Sequence, residues 1–154
     1  MNSKTATLSS PCFPFKHSLD VQLRFNDIDA LGHLNNSVYF PLFDLGKARY
    51  FIAARGEEID WTQTNIVVAN INCNFLAPIY FNEPIAVQTQ VVAIYDKSFK
   101  VRQQLINTAS GEVKCQCSTI MVGFDVARGV AAPLAEDWID TLCRFEGRDL
   151  LSSN

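Results

Sequence analysis

Polar and apolar residues begin to alternate at residue 18. Leu19, Val21, Leu23 and Phe25 point one way, and Ser18, Asp20, Gln22 and Arg24 the other. That period of two predicts a strand with one face in a core. Residues 26–36 are rich in Asn, Asp and Gly and read as a loop. The period then changes. From Ser37 to Arg55, Val38, Leu42, Leu45, Ala48 and Ile52 form one apolar face at helical spacing, while Tyr39, Phe40, Phe43, Tyr50 and Phe51 fill most of the remaining circumference. A helix apolar nearly all round is expected to be wrapped by other elements. Asn35 or Asn36 can cap its start and Gly56 its end. Pro41 removes one N–H and disfavours a helical Phe40, which is tolerable only near the first turn.

Four strand-like runs follow a linker around Trp61, over about 65–76, 84–95, 99–108 and 112–124. Asp96-Lys97-Ser98 and Ala109-Ser110-Gly111 separate the last three. Connections that short and polar join adjacent antiparallel strands. Pro133 can open a short helix carrying Trp138, Ile139 and Leu142, and the tail Ser152-Ser153-Asn154 is expected to fray. Strand, apolar helix, then four antiparallel strands is an α+β order, best satisfied by one five-stranded sheet curled around a long central helix. A length of 154 residues fits a single domain, 1–154, with a loose lead-in over about 1–14 and a short helix and tail over about 133–154.

Composition narrows the functions. Charged residues are 19% against 48% apolar, low for a chain that must cover its whole surface alone, which suggests subunit contacts. The net charge of −3, with no Lys or Arg run, argues against nucleic-acid binding. The five cysteines, at positions 12, 73, 115, 117 and 143, match no disulfide or zinc spacing, so buried thiols in a reducing compartment are expected. Met1 to Lys16 lacks the apolar core of a secretory signal, and no run of 18 apolar residues exists, so a cytoplasmic location without a membrane span is expected. No G-x-S-x-G elbow, H-E-x-x-H or phosphate-binding glycine loop occurs. With only His17 and His33, neither a metal nor another cofactor is expected.

The chemistry concentrates in Asp27-Ile28-Asp29-Ala30-Leu31-Gly32-His33-Leu34-Asn35-Asn36, directly before the helix. Carboxylates there could simply complement the helix dipole or hold loop amides. The segment resembles the hotdog-fold thioesterases of the 4-hydroxybenzoyl-CoA thioesterase family. Their shared pattern is an aromatic, D-x-D-x-x-G-H-x-N-N, a further aromatic, and a helix carrying an acid and an Arg, here Asp44 and Arg49. Asn74-Phe75-Leu76-Ala77-Pro78 and Asn82-Glu83 resemble the family's later turn. The resemblance spans roughly residues 15–125.

It implies a hotdog fold and hydrolysis of acyl-CoA to free acid and CoA. Asp29 matches the nucleophile or general base, and the backbone N–H near Asn36 the oxyanion donor. It leaves Asp27 structural. Gly32 and His33 are placed beside the substrate, with an orienting or structural role for His33. Tyr39 and Phe43 either line the acyl pocket or belong to the core. Asp44 is assigned a structural or interface role. Lys97, Lys100, Arg102 and Arg128 could hold CoA phosphates, but solvated charge explains them equally. The family implies a homodimer or homotetramer. An acyl-carrier-protein thioesterase, or a non-catalytic acyl-binding protein, would keep the same fold and much of the same loop.

Overall fold

The structure, a computed structural model, describes residues 13–59 and 65–152. Its order is β1 (His17–Val21), a 3-10 turn (Phe25–Asp27), α1 (Asn36–Arg55), β2 (Ile66–Phe75), β3 (Ile85–Ile94), β4 (Ser98–Asn107), β5 (Val113–Asp125), β6 (Val130–Ala131) and α2 (Glu136–Glu146). The strands form one antiparallel sheet in the order β1-β3-β4-β5-β2, with two-residue β6 attached to β5. This is the expected α+β arrangement with one further short strand. The four long strands match their predicted limits to within a residue. The lead-in to residue 12, with Cys12, and the linker around Trp61 lie outside the described residues.

Asn35 caps α1, its side chain accepting the N–H of Ser37 at 2.9 Å. Gly56 ends the helix at φ +75°, a left-handed conformation that a Cβ would strain. The buried side of α1 is Tyr39, Leu42, Phe43, Gly46, Lys47, Tyr50 and Phe51. Leu45, on the predicted apolar face, is instead 43% exposed, and Ala48 and Ile52 are only half-buried. Of the predicted stripe only Leu42 is fully buried, and the buried side is made largely by Tyr39, Phe43, Tyr50 and Phe51.

The helix lies close against the sheet at Gly46. A Cβ built there would come within 2.8 Å of Val87 Cγ2 and 3.0 Å of Gln103 Nε2. Gln103 is buried and spans the layers, its Nε2 donating to the Phe43 carbonyl at 2.9 Å and to Thr89 Oγ1 at 3.0 Å. Further along α1, the Tyr50 hydroxyl donates to the buried Glu146 carboxylate at 2.6 Å, tying α1 to α2.

The first strand is shorter than the alternation suggested. β1 stops at Val21, and Phe25, expected to face inward, is 80% exposed. Asp27 is the cause. Its buried carboxylate accepts the Arg24 N–H at 2.8 Å and the Arg24 guanidinium at 3.1 Å, bending the chain into the 3-10 turn. Of the tail expected to fray, Ser152 is held, and Ser153 and Asn154 lie outside the described residues. Leu150 is buried, its carbonyl accepts the Ile94 N–H at 2.7 Å, and Ser152 N–H donates to the Ile94 carbonyl at 2.8 Å, so the chain is held through residue 152.

β2 is an edge strand with a bulge between Val68 and Asn70. The bulge keeps Ile66, Val68, Ile71, Cys73 and Phe75 on the inner face despite their spacing of two, three, two and two. Of the thiols, Cys115 and Cys117 are buried and Cys73 and Cys143 half-buried, all free. Burial pushes the Cys115 thiol up to about 11. Cys73 is raised as well, by burial first and then by its neighbours Cys117 and Cys115. These are apolar core thiols rather than nucleophiles.

Candidate active site

Asp29 occupies a tight turn directly ahead of α1. Its N–H donates to the His33 carbonyl at 2.9 Å, and its carbonyl accepts the Gly32 N–H at 3.0 Å. One oxygen of its carboxylate accepts the Leu31 N–H at 2.9 Å. The side chain is half-buried. The turn therefore fixes the carboxylate, and its other oxygen has no hydrogen-bond partner among the described residues. Gly32 closes the turn at φ +80°, which accounts for glycine there.

Asn36 is the first residue of α1. Of the leading amides, Ser37 N–H is taken by the Asn35 side chain and Val38 N–H by the Asn35 carbonyl. The Asn36 N–H has no acceptor among the described residues. A free amide at a helix start is a ready donor to developing negative charge.

Asp27 lies behind the turn. Its hydrogen bond from the Arg24 backbone, followed by contacts with the guanidinium, outweighs burial and holds its carboxyl below the usual range. That is the structural role expected. His33 packs edge-on against Tyr80, ring centres 5.2 Å apart, with a bridge between their backbones. Tyr39 is buried with its ring edge-on to Phe75 at 4.9 Å, and Phe43 is 1% exposed. Both side chains belong to the main core cluster. Asp44 is exposed and pairs with Lys47 at 3.3 Å rather than with Arg49.

A second loop supports the first. Leu34 N–H donates to the Ile79 carbonyl at 2.7 Å. That loop is held by Glu83, which accepts Lys114 at 2.7 Å, the Tyr80 N–H at 2.7 Å and Asn107 at 3.1 Å. Burial alone would raise the Glu83 carboxyl, but the Lys114 hydrogen bond and the two others outweigh it and lower it. Lys114 is likewise disfavoured by burial, yet raised by Glu83 and Glu112.

The alternation gave no sign of the apolar surface around this turn. Phe25, Leu31, Phe75, Leu76, Tyr80 and Phe81 are all between 43% and 80% exposed. Phe25 stands edge-on to Phe81 at 6.2 Å. Only the cluster of aromatics near the turn could have signalled it. Two clefts are also present among the described residues, and Asp29 lines neither. One, of about 620 Å³, lies at the far end of α1. The other, of about 860 Å³, is walled by Asn70, Asn72, Asn74, Lys100 and Arg102. Lys100 and Arg102 thus share no cleft with Asp29, and Arg102 lies over the Phe15 ring at 4.9 Å. Among the described residues no group of three His, Cys, Asp or Glu side chains could hold a metal ion, and no helix is long and apolar enough to cross a membrane.

The sequence profile of the Thioesterase-like superfamily matches residues 23–142, which include the turn, α1 and the whole of β2 to β5. The chain belongs to this superfamily. Membership makes it a thioester hydrolase with the hotdog fold. A thioesterase from Thermus thermophilus, solved with coenzyme A and Zn, is similar at 28% identity and a TM-score of 0.77, over 87% of this chain and 96% of that one. The 4-hydroxybenzoyl-CoA thioesterase of Pseudomonas sp. strain CBS-3 shares the fold, at 20% identity and a TM-score of 0.71, over 81% and 97% of the two chains. A 1,4-dihydroxy-2-naphthoyl-CoA thioesterase from Synechocystis shares it too, at 13% identity and a TM-score of 0.72, over 82% and 94%. No protein of curated function matches the sequence.

Proposed function

We propose that the protein hydrolyses an acyl-CoA thioester to the free acid and CoA, with Asp29 as nucleophile or general base. One observation carries the reading. A half-buried carboxylate with one oxygen uncommitted lies on the turn that leads into a helix whose first N–H, at Asn36, has no acceptor among the described residues. Attack on the thioester carbonyl puts charge on its oxygen, and the Asn36 N–H can hold that charge. Asp29 either takes the proton of the attacking water or attacks the carbonyl carbon itself to form an acyl anhydride, which water then hydrolyses to the free acid, restoring the carboxylate. The C–S bond then breaks and CoA leaves as a thiolate, a group stable enough to need no strong general acid. Gly32 gives the turn its shape, and His33, fixed by Tyr80, borders the approach to the substrate. Tyr39 and Phe43 act from beneath, as the core on which the turn rests. The similar Thermus protein, solved with coenzyme A, favours a CoA ester as substrate.

A homodimer is part of the same reading. β2 is a ten-residue edge strand without a charged side chain, and Val68, Ile71 and Phe75 on its inner face are 40–49% exposed. Unpaired backbone groups flanked by neutral apolar residues suit pairing with a second copy, since no like charges oppose it.

Thiol release from short, medium, long and aromatic acyl-CoA esters tests the chemistry, with wild type beside Asp29→Asn. A fall of about 100-fold or more in the variant, with the assembly intact, is expected. Near wild-type turnover in the variant would remove Asp29 from the mechanism. No turnover of any ester by the wild type would overturn the reading.

A further inference from the structure

The side of the sheet turned away from α1 has no role in the mechanism above. Val87 and Gln103 face Gly46 of the helix, so strand alternation turns Gln88, Gln90, Lys100 and Arg102 to the other side. Register aligns that side in rows across β3, β4, β5 and β2. Gln90, Arg102, Ser118 and Asn72 make the middle row. Gln88, Gln104, Gln116 and Asn74 lie to one side of it, and Ala93, Lys100, Ile120 and Asn70 to the other. The cleft of about 860 Å³ lies on this side of the sheet, within the roughly 300–1,000 Å³ of small-molecule pockets.

Three cations line the cleft, Lys100, Arg102 and Arg148, and no Asp or Glu does among the described residues. All three are half-buried. Lys100 and Arg148 form no ion pair among the described residues. Arg148 Nε is buried without a hydrogen-bond acceptor among them. The two arginines are braced through shared neighbours. Arg102 Nη1 donates to Gln90 Oε1 at 3.3 Å, and Gln90 Nε2 donates to the Phe13 carbonyl at 3.1 Å. The Arg148 guanidinium in turn lies 3.9 Å from the Phe13 ring centre. Like charges gathered and partly removed from water repel one another, and an anion among them relieves that cost.

We infer that this cleft binds a small ligand bearing a diphosphate group, of the nucleoside diphosphate class, at a place separate from the Asp29 turn. The guanidinium groups suit paired phosphate oxygens, and Lys100 supplies a point charge. The carboxamides of Asn70, Asn72, Asn74 and Gln116 donate and accept hydrogen bonds without adding charge, which suits the polar remainder of such a ligand. A second copy does not suit this face. Two-fold pairing would bring two sets of these cations into one interface, with no acid of the cleft to meet them.

Isothermal titration of the full chain with ADP, inorganic pyrophosphate and adenosine tests this. ADP and pyrophosphate are expected to bind, and adenosine is not. Lys100→Gln and Arg148→Gln should each weaken ADP binding about tenfold or more, and Lys100→Arg should retain it. Circular dichroism checks the fold of each variant, and should Arg148→Gln fail to fold, Lys100→Gln decides. Failure of both phosphate probes to bind at millimolar concentration overturns the inference. So does adenosine binding as tightly as ADP, or ADP binding that the folded variants leave unmoved. A change of assembly size in Lys100→Glu, read by light scattering, would make the face an interface between copies and overturn it as well. The titration needs no turnover, so its outcome is independent of the hydrolase reading. With an acyl-CoA that the wild type cleaves, Lys100→Gln is expected to keep the wild-type KM. A KM raised about tenfold would give Lys100 to the substrate's own phosphates and overturn a separate site.

Discussion

Replacing Gly46 by alanine sets two effects against each other. Alanine is the better helix former by about 1 kcal/mol, so an exposed helix would gain from the change. Gly46 is buried, however, and the new methyl would meet Val87 Cγ2 at 2.8 Å and Gln103 Nε2 at 3.0 Å. Overpacking of that kind costs about 1–3 kcal/mol. Gln103 can yield only by giving up its bonds to the Phe43 carbonyl and Thr89, worth about 1 kcal/mol each. The clash outweighs the propensity, and the expected net loss is about 1–3 kcal/mol. At roughly 2–4 °C per kcal/mol for a chain of this size, Tm falls by about 2–12 °C. Thermal and urea unfolding should be followed at one fixed protein concentration, because the proposed association would shift both. The Gly46→Ala change should cost less in a Val87→Ala background, where the nearest obstacle is gone. A Tm unchanged or raised by Gly46→Ala would mean that the layers absorb the methyl freely, and the close-contact account of this crossing would fail.

Glu83→Gln breaks the anchor under the second loop. Lys114 keeps only the half-exposed Glu112 as an ion-pair partner, and a loss of about 1–3 kcal/mol in urea unfolding is expected. The Glu83 carboxyl is lowered in the fold, so its contribution is complete above the unfolded value of about 4.3 and is lost as pH falls through the folded value. Stability of Glu83→Gln should accordingly fall less than that of wild type below about pH 4. Lys114 is raised, so its contribution is complete below its unfolded value of about 10.4 and disappears as pH rises through the folded one. Ile71→Lys places a charge in the middle of β2, and size-exclusion chromatography with light scattering should show the monomer. A dimer persisting in that variant would exclude β2 as the seam.

The strands were legible because alternation and short polar turns are local signals, and β2 to β5 needed nothing else. The same signals could not find the end of β1, since what breaks its alternation is one buried carboxylate, Asp27, folding back on Arg24. Helix α1 was found but its inward side was not. Apolar residues occupy nearly every direction around it, so periodicity had no contrast to report. The Asp29 turn was visible only as a motif, and its geometry rests on partners distant in sequence, such as Ile79 and Tyr80. The fixed tail after α2 depends on main-chain bonds to Ile94, which carry no side-chain signature.

The bulge at Val68–Asn70 is one of the few features of β2 that discourage unwanted pairing, for the strand has no Pro and no charged side chain. A newly made copy is therefore in a race. In the proposed dimer, correct association and indiscriminate strand-to-strand aggregation would both use the same edge, and both would accelerate with concentration. Rapid synthesis in a warm cell would favour the wrong outcome, and slow expression at low temperature the right one. The fold's least guarded moment falls between completing its own sheet and meeting another copy.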